Sequence, residues 1–216
     1  MLKYHFIISN KKADCMRSYQ KLQQELKFNQ VLPVTVDWSA AADFLTLIKD
    51  YCITEKPVNI VECSSGLSTL ILSKCCQINS IGHVYSLENG EEYKQQTDGN
   101  LKQFNLQNYA DVKYAPLIKH LINDISYKWY QPESIKKIKI DMLVIDGPPG
   151  FIQKHSRYPA LPLLFNQLAE GACVFLDDAA RDEEKEIVAM WLNQYSGLQH
   201  EYLETERGCS ILKLIK

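Results

Sequence analysis

The sequence predicts an α/β domain in which a mostly parallel sheet is covered by helices on both faces. Two observations lead there: short apolar runs alternate regularly with helix-period segments after Pro57, and several of those runs end in an acidic residue. A third, a Glu206–Gly208 turn between the strand-like segments Gln199–Leu203 and Ser210–Ile215, adds an antiparallel hairpin to the sheet.

The elements follow in order. Leu2–Ser9 reads as a strand and Asp14–Lys27 as a polar helix. Ser39 is the expected N-cap of a helix whose apolar face is Ala41, Phe44, Leu45, Ile48, Tyr51 and Cys52. Val58–Glu62 is apolar enough for a strand buried on both faces. Leu67–Cys76 is a helix, His83–Leu87 a strand, and Glu91–Phe104 a helix weakened by Gly99. Asp111–Tyr114 and Asp141–Ile145 are strands, Ala160–Ala169 a helix and Ala172–Leu176 a strand. Glu183–Tyr195 is amphipathic, with Ile187, Trp191 and Tyr195 on one face. Between Lys119 and Lys139, Leu121, Ile122, Ile125 and Trp129 fall near helical spacing and are expected to cover a core face. Residues 1–35 are assigned to an N-terminal extension and 36–216 to the main domain.

Composition narrows the function. With 46% hydrophobic and 23% charged residues and a net charge of −2, the chain reads as an ordinary globular protein with no electrostatic case for nucleic acid or an anionic membrane. The seven cysteines include no C-x-x-C pair and sit largely in apolar runs, so buried reduced thiols are expected rather than zinc or disulfides. Met1–Asn10 lacks a basic signal-peptide start, and no run of about 18 apolar residues suggests a membrane span. A cytoplasmic location is expected, with a homodimer left open.

The strongest motif is Glu62-Cys63-Ser64-Ser65-Gly66-Leu67-Ser68-Thr69, between a strand and a helix. A small-residue turn there lets backbone N–H groups and a helix N-terminus approach a ligand. Glu88 ends the next strand, 22 residues after Gly66, where a carboxylate can accept both ribose hydroxyls of a nucleoside. Asp146, Asp177 and Asp178 end two later strands at the same edge. Three converging carboxylates repel unless a cation or donor sits among them, and oxygen-only ligands suit Mg²⁺. Equally, Asp178 can cap a helix, Asp177 bind backbone amides and Asp146 hold a turn. His155 is a candidate general base. Arg157 and Arg181 are candidates for binding an acidic substrate or for pairing with the aspartates; Arg181 can pair with Glu184 or Asp178.

Glu62–Thr69 resembles the first motif of S-adenosylmethionine-dependent methyltransferases, in the variant Glu-x-Gly-Ser-Gly-x-Ser-Thr. Trp38-Ser39, Asp146–Gly150, Arg157–Leu161 and Phe175–Asp178 are similar to the small-molecule O-methyltransferase branch, and the likeness spans roughly 36–215. The resemblance implies a Rossmann-like methyltransferase fold with a mostly parallel seven-stranded sheet and a C-terminal antiparallel hairpin. It implies S-adenosylmethionine as cofactor, held by Glu62, Cys63, Ser64, Ser65, Gly66, Ser68, Glu88 and Asp146, with Glu62 facing the cofactor's cationic amino-acid end. By likeness to the metal-dependent members it implies Asp146, Asp177 and Asp178 as ligands of an optional Mg²⁺; Asp146 and Asp177, with the loop residue His155 as base, are the expected catalytic residues. The expected acceptor is a small-molecule hydroxyl. Ser64 departs from the family's first glycine, and a negative φ there would accommodate it. That departure keeps open a regulatory domain that binds the cofactor without catalysis. A nicotinamide oxidoreductase is the other alternative, but it requires the G-x-G-x-x-G that this turn lacks.

Overall fold

A computed structural model describes residues 16–36, 38–134 and 137–215. The strand expected at Leu2–Ser9 lies outside them. Helix α1 runs over 16–25, followed by α2 (Ala42–Glu55). Then come β1 (Asn59–Cys63), α3 (Leu67–Asn79), β2 (His83–Glu88), α4 (Glu91–Gln103) and β3 (Ala110–Tyr114). Next are β4 (Leu117–Ile122), β5 (Ile125–Tyr130), β6 (Ile140–Ile145), α5 (Ala160–Leu164) and β7 (Leu168–Leu176). The last are α6 (Asp182–Gln194), β8 (Leu198–Leu203) and β9 (Cys209–Leu214).

Seven strands form one sheet in the order β3-β2-β1-β6-β7-β9-β8. Within it β9 alone runs against its neighbours, so the expected parallel sheet with a closing hairpin is present. Alternation along the strands divides the core into two layers. Ile60, Val84, Met142, Val144 and Phe175 face α1, α2 and α3, while Val61, Leu87, Leu143, Ile145 and Leu176 face α5, α6 and the β4–β5 hairpin. Tyr19 and Leu22 of α1 belong to the first layer, and the Tyr19 hydroxyl donates to the Ala40 carbonyl.

Three expectations are corrected. Ser39 does not cap α2: the N-cap is Ala41, which makes no side-chain cap bond, and the Ser39 hydroxyl accepts the Thr35 N–H instead. The helix beginning at Ala160 ends at Leu164; a short 3-10 turn follows, and Leu168 already starts β7. The segment after Lys119 is no helix but the two-stranded hairpin β4–β5. Asn123 and Asp124 both have positive φ (50° and 63°) between the paired Ile122 and Ile125. That is the geometry of a two-residue type I′ turn, whose twist matches antiparallel strands. Tyr127, Trp129 and Tyr130 point into the core, while Leu121 and Ile125 stay exposed.

Candidate active site

A parallel sheet brings its strand ends to one edge, and the candidate residues lie there. The loop after β1 is fastened on both sides: Ser64 N–H donates to the Leu87 carbonyl at 3.0 Å, and Asp146 N–H to the Cys63 carbonyl at 3.2 Å. Gly66 has φ 137° and ψ −128°, a conformation open essentially to glycine alone. Ser64 has φ 116°, so the negative φ that would have suited a serine is not adopted. The room for its side chain comes from across the cleft. A Cβ on Gly147 would lie 3.1 Å from Ser64 Cβ and would overlap the Tyr130 hydroxyl. The bulk that Ser64 adds is thus matched by a glycine at 147.

Glu62 is fully buried in the α3 layer. Its Oε2 accepts the hydroxyls of Thr69 and Ser86, each at 2.6 Å, and Thr69 Oγ1 in turn accepts the Gly66 N–H. Burial pushes its carboxyl up to about 7, against the opposing pull of the Ser68, Ser86 and Thr69 hydroxyls. Oε1 is buried without a partner. Glu62 therefore ties the start of α3 to β1 and β2 from beneath the loop. Ser68 is buried as well, and burial raises the Cys63 thiol above its ordinary range.

Glu88 is 7% exposed, with Oε2 accepting the Ser65 hydroxyl at 2.7 Å and Oε1 the Gly90 N–H at 2.8 Å. A carboxylate has roughly four lone-pair sites, so two remain for further donors. Beside Gly90, the exposed rings of Trp38 and Tyr93 stack with centroids 6.3 Å apart.

Asp146, Asp177 and Asp178 do converge, each offering an oxygen within 4.8 Å of the others. Between them lies Arg157, whose side chain is only 3% exposed. Its Nη2 donates to Asp178 Oδ2 (2.7 Å), the Asp146 carbonyl (3.0 Å) and Asp146 Oδ1 (3.2 Å), and Nη1 to the Asp177 carbonyl (2.8 Å). Arg181 Nη1 lies 3.0 Å from Asp178 Oδ2 and 3.8 Å from Glu184 Oε1, the pairing expected for it. Asp177 is fully buried; Oδ1 accepts the Asp178 N–H and Oδ2 has no partner. Burial drives the Asp146 and Asp177 carboxyls above the usual carboxylate range. For Asp146, Arg157 offsets part of the rise; for Asp177 the neighbouring aspartates add to it. Burial disfavours the Arg157 charge, but the surrounding carboxylates outweigh it and hold the guanidinium protonated. A divalent ion about 4 Å from that guanidinium would meet a repulsion on the order of 8 kcal/mol at an effective dielectric of 20. The chain itself thus places a positive charge among these aspartates.

His155 is not brought into contact with the aspartates. Its Nε2 lies 2.6 Å from Glu186 Oε2 on α6, a carboxylate shared with Lys154. Tyr130, which the sequence offers only as an unsupported substrate contact alongside Trp129, is by contrast part of the site. It is 1% exposed, burial raises its phenol well above the ordinary value, and the charges of Glu88, Arg157 and Asp146 act on it. The Asn-Asp turn between two apolar runs was the sequence signal for the hairpin that delivers it.

A family model described as Methyltransferase domain matches residues 61–179, more than half of the chain. This chain belongs to that family. The matched span of the methyltransferase runs from β1 to just beyond Asp178, and so contains Glu62, Glu88 and the three aspartates. No curated protein sequence matches it. Among solved structures, an S-adenosylhomocysteine-bound methyltransferase from Podospora anserina superimposes with a TM-score of 0.68 at 11% identity, over 97% of this chain and 96% of that one. An O-methyltransferase from Bacillus cereus, also with S-adenosylhomocysteine, gives 0.63 at 14% identity, over 92% and 90%. TomG, an O-methyltransferase of Streptomyces achromogenes in complex with S-adenosylmethionine, gives 0.63 at 11%, over 94% and 90%. At such identities the likeness establishes the fold, and family membership sets aside the oxidoreductase alternative. No helix among the described residues is long and apolar enough to cross a membrane.

Proposed function

We propose that this methyltransferase moves the methyl group of S-adenosylmethionine to an oxygen of a small-molecule acceptor. The observation that carries the reading is Glu88: a buried carboxylate at the end of β2, fixed by Ser65 and Gly90, with two lone-pair sites left for the two ribose hydroxyls. The 63–66 backbone lies beside it, and Trp38 and Tyr93 form an aromatic wall for the adenine. Glu62 acts from below by holding that loop in shape.

The acceptor would enter over the ends of β6 and β7. Asp146 is the aspartate of the cluster that keeps some exposure. With Arg157 fixing its Oδ1, it is positioned to take the acceptor's proton while the methyl group is displaced in line. Asp177 is buried behind it and His155 is engaged by α6, so both support the site without facing it. Pro148 to Phe151 form an acceptor wall; Gln153 pins that loop to the hairpin by bonding both the N–H and the carbonyl of Lys128. Phe151 is 82% exposed and offers the acceptor an apolar surface. Mg²⁺ assistance does not fit a cluster centred on a guanidinium.

Calorimetry with S-adenosylmethionine and S-adenosylhomocysteine on wild type and Glu88→Ala tests the reading. Two hydrogen bonds to a charged acceptor are together worth roughly 3–5 kcal/mol, so binding should weaken by about a hundredfold or more. Well-folded wild type that binds neither ligand would refute the proposal. Binding without turnover across a panel of hydroxylated acceptors would favour the regulatory reading.

A further inference from the structure

We propose that Arg157 is the permanent cation of this site, standing where an ion would otherwise sit, and that removing its guanidinium creates a divalent-cation site at Asp146, Asp177 and Asp178. The claim deepens the methyltransferase reading, on which it rests only for the meaning of the site. It makes Arg157 a positioning residue and the enzyme independent of divalent metal.

Three observations carry it. First, the guanidinium is bonded on two sides, to the side chains of Asp146 and Asp178 and to the main-chain carbonyls of Asp146 and Asp177. It therefore staples the ends of the adjacent strands β6 and β7, with the planar fork that suits several acceptors at once. Second, it has nowhere to withdraw. Its side chain is 3% exposed, and Nε is backed by Glu184 at 3.9 Å, itself 4% exposed. An ion entering the cluster would have to displace a buried charge and leave two strand-end carbonyls without their donor. Third, one oxygen of each aspartate is committed. Asp178 Oδ2 faces two guanidinium groups, Asp146 Oδ1 one, and Asp177 Oδ1 holds a backbone N–H. Hard divalent ions ask for six or more oxygen ligands and usually keep several waters. Fully buried Asp177 leaves no path for such a shell while Arg157 is in place.

The same geometry states what happens without the guanidinium. Asp177 Oδ2 is already buried and unpartnered, and three carboxylate oxygens lie within 4.8 Å. Truncating Arg157 leaves them with a void lined by two carbonyls, which is an oxygen-donor set for an ion.

The test is titration with Mn²⁺ followed by electron paramagnetic resonance of the free ion, on the whole chain without cofactor. Wild type and Arg157→Lys, which keeps the charge, should take up no Mn²⁺ through the low millimolar range. Arg157→Gln should bind it at least roughly tenfold more tightly, and Asp177→Asn added to that variant should abolish the gain. Micromolar binding by wild type that is lost in Asp146→Asn would overturn the assignment. So would a folded Arg157→Gln that binds no better than wild type. Arg157→Ala is titrated in parallel, so that either folded truncation reads the created site, while the wild-type and Arg157→Lys titrations test the exclusion of the ion. Cofactor calorimetry on wild type is read separately: its failure, with Mn²⁺ still excluded, would remove the methyltransferase reading and leave Arg157 as the cation.

Discussion

Replacing Gly147 by alanine sets a methyl group against the Tyr130 hydroxyl, 3.1 Å from Ser64 Cβ and 3.2 Å from the Cys63 carbonyl. No positive φ constrains Gly147, so the substitution probes the collision and not the backbone torsion. The phenol cannot swing clear, because Tyr130 is 1% exposed and packs edge-on against Trp129 with ring centroids 5.3 Å apart. Overfilling a closed site of this kind costs about 2 kcal/mol, within the usual 1–3. For a chain of this length that lowers Tm by roughly 4–8 °C. Urea and thermal denaturation measure the loss, and cofactor calorimetry on the same samples shows whether the 63–66 loop has moved. Tyr130→Phe deletes the colliding atom. In the Gly147→Ala background it should recover about 1 kcal/mol beyond its effect in wild type, the size of coupling expected for residues in contact. Strict additivity of the two substitutions would refute the idea that Gly147 exists to house the Tyr130 hydroxyl and the Ser64 side chain.

Two further outcomes follow from single residues. Gly99 is exposed within α4, and a Cβ there meets nothing within 4 Å. Gly99→Ala should therefore stabilise the protein by about 0.5–1 kcal/mol, read as a higher urea midpoint with an unchanged slope. Glu62 titrates near 7 in the fold against an ordinary 4.5. Its folded pKa is raised, so the folded state binds the extra proton. The associated stability is full below about pH 4.5 and is lost as pH rises towards 7, by on the order of 3 kcal/mol. Glu62→Gln should flatten the stability profile across that interval; an identical slope in wild type and variant would mean that Glu62 does not carry it.

The sequence made some of this architecture plain. Buried strands such as Asp141–Ile145 and the step from Glu62 through Gly66 to Glu88 carry their own signals, of apolar runs and of a fixed spacing between strand ends. The β4–β5 hairpin was missed because Leu121, Ile122, Ile125 and Trp129 imitate helical spacing, and only the Asn123-Asp124 pair marks the turn. Pairing of Arg157 with the aspartates was one of several open readings. Choosing it required tertiary structure, since its partners are 11 to 21 residues away and meet only once β6 and β7 lie side by side. Tyr130 reaches the site for the same reason: a hairpin outside the main sheet delivers it, and linear spacing does not record that.

Strand β9 lies between β7 and β8, although it is the last of the three to be synthesised. Until residues 209–214 have left the ribosome, β7 has an open edge and its ladder from Cys173–Lys213 to Leu176–Ser210 cannot form. The turn before β9 also supplies the Arg207 and Gly208 carbonyls that receive the Ala180 and Ala179 N–H groups. The part of the sheet made by β1, β2 and β3 can thus assemble on a nascent chain while the loop carrying Asp178 still lacks its final anchors. On the proposed reading, the strands that would hold the nucleoside are all synthesised before the last strand beside the proposed acceptor side.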